Sequence, residues 1–246
     1  FGGGGAPGKS IVDRIDYSND TATASPKGPL SLARHTLAAT SAAANALPTD
    51  FGLINATVEG SDPRDNVFPQ GTDFGYFGGG DSNISTVDRI DYSNDTETAV
   101  VKGPLSASKF DHTATGNADF GYQGGGKDSG GNFTSSVDRI DYSNDTATAS
   151  PKGTLASPGI AYLAATGNAD FGYVGGGKTP LSKSTVERID YSNDTATAVE
   201  KGPLSAARYS LAATGNASFG YFGGGGAPGK SIVDRIDYSN DTATAS

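Results

Sequence analysis

Val12-Asp13-Arg14-Ile15-Asp16-Tyr17-Ser18-Asn19-Asp20-Thr21 decides how this chain folds, because it recurs almost unchanged from Val87, Val137, Val186 and Val233. The spacings are 75, 50, 49 and 47 residues. Phe-Gly-Tyr-x-Gly-Gly-Gly precedes four of the copies, beginning at Phe74, Phe120, Phe171 and Phe219. Ala-Ala-Thr-Gly-Asn stands at Ala164–Asn168 and Ala212–Asn216, with relatives at Ala38–Thr40 and Ala114–Asn117. The first interval is stretched by an insertion that falls between Ser41 and Gly71. Phe1–Ser25 is identical to Phe222–Ser246, so the copies are young or kept alike by exchange. The chain opens in mid-repeat and has no Met, and we expect a processed protein, a piece of a longer array, or a ring cut at an arbitrary point.

Each unit reads as four short strands. Arg208 to Thr214 is the first, closed by Gly215-Asn216. Phe219 to Phe222 is the second, with Phe219 and Tyr221 on one face, and glycines break it. Ile232 to Tyr238 alternates as the third strand. Ser239-Asn240-Asp241 is turn chemistry, since Asn and Asp side chains bond nearby backbone and tolerate positive φ. Thr-Ala-Thr-Ala-Ser then reads as a small fourth strand, and a Lys-Gly-Pro connector leads onward. No capped segment of helical period is present. One such meander cannot bury both of its faces. Stacking several around an axis can, and repeats of this length with four strands are the signature of a β-propeller. We expect an all-β chain: a single propeller domain over 1–246, with about five four-stranded antiparallel blades or a window of a larger ring or array, and an inserted loop at 41–71.

The diglycines (Gly78-Gly79, Gly124-Gly125, Gly175-Gly176, Gly223-Gly224), the Val-Asp/Glu-Arg strand and the Pro-Leu connector together resemble the kelch motif. The resemblance covers nearly the whole chain outside the insertion. The Tyr of the kelch third strand is Ile here (Ile15, Ile90, Ile140, Ile189, Ile236), and its Trp falls at Ala22, Glu97, Ala147, Ala196 and Ala243. The resemblance therefore implies thinner, less aromatic blades. The repeat is also similar to Gly-rich tandem-repeat virion proteins of marine tailed phages, which implies an extracellular or virion location.

Composition narrows the chemistry. There is no Cys among the 246 residues, which excludes disulfides, thiolate metal sites and a cysteine nucleophile. A net charge of −9 argues against nucleic acid as a partner. No apolar run is long enough for a membrane-spanning helix, so membrane insertion is not expected. Gly3-x4-Gly8-Lys9-Ser10 fits the letters of a phosphate loop, but a strand follows it where such a loop needs a helix N-terminus. His35 and His112 are isolated and the sequence carries no catalytic set, so no enzyme activity and no cofactor are expected. Asn-Asp-Thr matches a glycosylation sequon five times, yet the same letters serve as turn chemistry.

Arg14 and Asp16 recur in every unit, and a group present five times is expected to form a scaffold ladder of ion pairs between blades rather than an active site. The copies differ in two places. One is the loop after the glycines: Asp81–Ile84, Lys127–Phe133, Lys178–Lys183 and Ala227–Lys230. The other is the approach to strand one: Arg34-His35-Thr36, Lys109-Phe110-Asp111, Ile160-Ala161-Tyr162 and Arg208-Tyr209-Ser210. In a four-stranded meander both lie at one end of the blade, near the channel mouth. Arg34, His35, Lys109, Phe110, Asp111, Tyr162, Arg208 and Tyr209 are therefore the candidate binding residues, suited to a protein or glycan on a cell surface or to neighbouring subunits of an assembly. The function expected is a non-enzymatic structural or binding module of an extracellular or virion appendage. The alternatives are a secreted carbohydrate-active propeller enzyme and an intracellular kelch adaptor.

Overall fold

A computed structural model of the chain describes residues 2, 7–19, 21–41, 74–81 and 84–246. An N-terminal hairpin pairs β1 (Val12–Arg14) with β2 (Ser25–Lys27). A four-stranded blade follows: β3 (Ala38–Ser41), β4 (Phe74–Gly78), β5 (Val87–Asp91) and β6 (Val100–Lys102). The second blade is β7 (Thr113–Gly116), β8 (Phe120–Gly124), β9 (Val137–Asp141) and β10 (Ser150–Pro151). The third is β11 (Ala164–Gly167), β12 (Phe171–Gly175), β15 (Val186–Asp190) and β16 (Val199–Lys201), with a small ribbon, β13 (Lys178–Thr179) and β14 (Leu181–Ser182), inserted in its loop. The fourth is β17 (Ala212–Gly215), β18 (Phe219–Gly223) and β19 (Val233–Asp237), and Ser246 exchanges backbone hydrogen bonds with Arg235 in the outer-strand position. The chain is thus an all-β propeller of four antiparallel blades plus a hairpin, where about five blades were expected. The insertion at 41–71 falls, beyond Ser41, outside the described residues.

First strands contact each other in series, β3 with β7, β7 with β11 and β11 with β17. Ala39, Ala114, Ala165 and Ala213 all line one cavity of about 690 Å³. The blades are therefore arranged about a common axis, with small side chains inward. Strand two packs tightly because its central glycine has no side chain. A Cβ on Gly121 would stand 2.6 Å from Thr40 Cγ2 of the preceding blade and 2.7 Å from the Tyr142 hydroxyl.

The seam between blades repeats residue for residue. Arg89 and Lys102 of the first blade hold Asp145 of the second at 2.7 and 3.2 Å. Arg139 and Lys152 hold Asp194 of the third, and Arg188 and Lys201 hold Asp241 of the fourth. Arg14 and Lys27 of the hairpin hold Asp95 in the same way. The ladder between blades is present, but the carboxylate is not that of Arg-Ile-Asp. Asp91, Asp141, Asp190 and Asp237 instead cap the 3-10 turns that follow strand three, each accepting from the serine two residues on. Those serine hydroxyl and amide donors hold the Asp91 carboxyl below the usual range.

A second layer locks the same seam. Tyr76, Tyr122 and Tyr173 donate to Asp145, Asp194 and Asp241 at 2.9 to 3.0 Å. Each also stacks on a tyrosine of the next blade, Tyr142, Tyr191 or Tyr238, with ring centroids 4.6 to 4.8 Å apart, a geometry favourable beyond its buried area. The connector glycines Gly103, Gly153 and Gly202 donate their amides to the carbonyls of Asp145, Asp194 and Asp241 at 2.8 Å. A Cβ on any of the three would overlap a backbone carbonyl of the neighbouring blade. Apolar burial completes the seam: Tyr76, Val87 and Leu105 meet Ile140, Tyr142 and Ala149.

Candidate functional site

Two residues before each first strand the chain adopts a left-handed turn, at Thr36, Asp111, Tyr162 and Ser210, with φ of 54 to 62°. None of the four is glycine, and a β-branched Thr there is strained. In three of the four the conformation aims the amide at the preceding blade: Asp111 donates to Thr36 O at 3.1 Å, Tyr162 to Asp111 O at 2.8 Å, and Ser210 to Tyr162 O at 2.8 Å. A main-chain belt thus runs from blade to blade at the start of the inner strands. Its repetition in four blades of different side chains shows that the backbone sets the conformation.

Loops between strands two and three lie against this belt. Phe110 bridges Lys127 of its own blade's loop, and Ala161 bridges Lys178. The two variable zones are therefore adjacent. Lys127 is the centre of the group they form. Its ammonium lies 3.2 Å from Asp111 and 2.5 Å from the Tyr162 hydroxyl. It also stands 4.3 Å from the Tyr162 ring centroid and 5.5 Å from those of Phe110 and Phe133. Burial alone would lower this ammonium, but the Tyr162 and Asp111 hydrogen bonds outweigh that and hold it above the ordinary lysine value. Tyr209 meets Tyr162 edge to face at 6.1 Å, with Lys178 Nζ 5.2 Å above its ring. On the first blade, His35 Nδ1 is 3.1 Å from Asp81. All these side chains are half-buried. They offer aromatic faces beside charged hydrogen-bonding groups, the pairing that suits sugar rings and peptide side chains alike.

The structure divides the candidate residues predicted from sequence. Phe110, Asp111, Tyr162 and Tyr209 come together, and His35 occupies the equivalent place on the first blade. Arg34, Lys109 and Arg208 lie apart from this cluster. Each is buried inside its blade and paired with the acidic residue of strand three: Arg34 with Asp88 at 2.8 Å, Lys109 with Asp138 at 3.1 Å, and Arg208 with Asp234. Burial drives the Lys109 ammonium below its ordinary value, against the pull of Asp138. The third blade has Ile160 where the others have a cation, and there strand three carries Glu187. Its longer side chain reaches the Ser157 hydroxyl at 2.5 Å and the Ala156 amide at 2.6 Å. These residues vary to keep a buried carboxylate satisfied.

Lys127, Phe133 and Lys178 belong to a variable zone that the sequence marks, but are not among its named binding residues. They lie in the variable loop after the glycines, and that cation and aromatic content was the available signal. Among the described residues, no group of three or more His, Asp or Glu side chains could hold a metal ion.

The class defined by fold and site is a tandem-repeat β-propeller whose scaffold is nearly invariant from blade to blade and whose mouth is not. No family model matches the chain, and no curated protein matches it.

Proposed function

We propose that this propeller is a non-catalytic binding and structural module of an extracellular or virion appendage, contacting a glycan or protein surface through the mouth of its channel. One observation carries the reading. Blades that are otherwise copies of one another diverge at the mouth, and the divergent residues gather into the cluster of Phe110, Phe133, Tyr162, Tyr209 and Lys127. Aromatic rings on loops over a rigid scaffold are the common basis of such recognition. The seam residues, by contrast, recur at every junction and support a scaffold role.

The test is a glycan array and a whole-cell adsorption assay with the purified chain, repeated with Phe110→Ser and Tyr209→Ser. The reading predicts a saturable signal that drops about tenfold or more in either variant, as for loss of an aromatic anchor, while the β-sheet circular dichroism is unchanged. Failure to bind any glycan or cell surface, or binding that both variants retain, contradicts it.

A further inference from the structure

The seam has two distinct halves, and the structure leaves one of each exposed. The leading half is a strand-two Tyr and a strand-three Val: Tyr122 and Val137, for example, cover Ile189, Tyr191 and Ala198 of the following blade. The following half is the strand-three Ile and the turn Tyr. On the fourth blade no described residue covers the leading half. Val233 is 61% exposed, whereas Val87, Val137 and Val186 are at most 1% exposed. Tyr221 is half-buried where its equivalents are fully buried. Arg235 is exposed, rests over its own Phe219 at 4.9 Å, and has no carboxylate partner among the described residues. On the N-terminal hairpin the following half is open. Tyr17 is 92% exposed against 6% for Tyr142 and 8% for Tyr191, and Ile15 is 37% exposed against 4% for Ile140.

These surfaces are the two complementary sides of an interface the chain already makes at each junction between blades. Both are exposed in one chain, so they do not cover each other there. We propose that the Tyr221/Val233 face of one copy docks the Ile15/Tyr17 face of a second copy, head to tail, reproducing the internal seam between chains. Tyr221 stacks on the incoming Tyr17 as Tyr173 stacks on Tyr238, and Val233 packs on Ile15 as Val186 packs on Ile236. The contact joins different patches, so it is heterologous and propagates unless the rotation closes a ring. It uses a face separate from the aromatic mouth and stands independently of the ligand-binding reading.

Sedimentation velocity over a concentration series tests this on the 246-residue chain. The weight-average mass is expected to rise above the monomer with concentration. Val233→Lys and Tyr17→Asp, both at exposed positions, are each expected to remain monomeric with unchanged circular dichroism. An equimolar mixture of the two is expected to form a one-to-one dimer and nothing larger, because it contains one intact copy of each face. A wild-type chain monomeric at every concentration overturns the proposal. So does association that survives either substitution, or a mixture that sediments as two monomers.

Discussion

The carboxylate of Asp194 accepts the phenol of Tyr122, from the neighbouring blade, at 3.0 Å. The same oxygen takes Arg139 at 2.7 Å, and Lys152 approaches the other at 3.3 Å. One buried acid therefore gathers three donors from the blade before it. Removing it leaves two cations and a phenol facing an apolar seam. Asp194→Ala is expected to cost about 2–4 kcal/mol, near the range for a buried ion pair stripped of one member, with Arg139 partly solvated. Urea denaturation measures it. Arg235→Ala, at the equivalent but uncovered position, is the internal control and is expected within about 0.5 kcal/mol of the parent, as for ordinary surface substitutions.

Strand-two glycines divide by their place in the strand: the second residue is crowded and the fifth, at Gly124 and Gly223, is open. At Gly121 a methyl group meets Thr40 and Tyr142 from two sides, whereas at Gly223 the nearest atom is Val233 Cγ2 at 3.8 Å. Gly121→Ala is therefore expected to destabilise by about 1–3 kcal/mol through overpacking. Gly223→Ala is expected to be neutral or slightly stabilising, because it lowers unfolded-chain entropy without strain. Thermal melts of the two variants distinguish these outcomes. Equal losses at both positions would mean that the blades do not abut as described.

Acid sensitivity is expected to arise in part at His112. Burial, and then the nearby Lys109 charge, lower its pKa from 6.5 to about 3. It is held neutral against the Gln123 side chain, Nε2 to Oε1 at 2.9 Å. Below about pH 6.5 the unfolded chain gains a proton that the folded chain refuses, so stability falls as pH falls from there toward 3. The third blade has Leu163 and Val174 in these two places, both buried. His112→Leu with Gln123→Val copies that pair and removes both polar partners together, which is nearly neutral or stabilising. Denaturation midpoints between pH 3 and 7 are expected to flatten in the double variant. A slope equal to the parent's would place the acid sensitivity elsewhere.

Ile160 and Glu187 are expected to behave as a coupled pair. Glu187→Asp alone shortens the carboxylate away from Ser157 and the Ala156 amide, and is expected to lose about 1–2 kcal/mol, as for a buried hydrogen-bonded group left unmatched. Ile160→Arg added to it rebuilds the pair of the fourth blade, where Arg208 meets Asp234. A double-mutant cycle is expected to show favourable coupling. Additive losses would contradict the exchange of partners inferred between blades.

The propeller was legible because its two most regular segments are strands two and three of every blade. Phe-Gly-Tyr carries its own packing instructions, and Val-Asp-Arg-Ile-Asp alternates cleanly. Strand one begins at Ala212 rather than at Arg208 as the sequence suggests, since Ser210 turns left-handed and cannot sit in a ladder. Thr-Ala-Thr, which reads as the start of strand four, continues the turn, where the Ala147 amide bonds Asn144 O, and pairing resumes only at Ser150. The partner of each arginine was obscured for a related reason. Asp16 is only two residues from Arg14 in sequence, whereas the true acceptor lies on the next blade, in a register that only the packed ring defines. The buried cations at the mouth looked like binding residues because they vary. Their compensation was nonetheless visible, since the one unit without a cation is also the one with Glu in strand three.

Amide hydrogen exchange followed by NMR at the connector glycines tests the stacked-blade account most directly. Gly103, Gly153 and Gly202 lie outside every strand, yet each amide is bonded at 2.8 Å to the next blade. The account predicts protection comparable to that of the strand-two amides, while Gly229, which is exposed and donates no backbone hydrogen bond among the described residues, exchanges freely. Connector amides exchanging as fast as Gly229 would contradict the seam on which the fold, the mouth and the proposed assembly all rest.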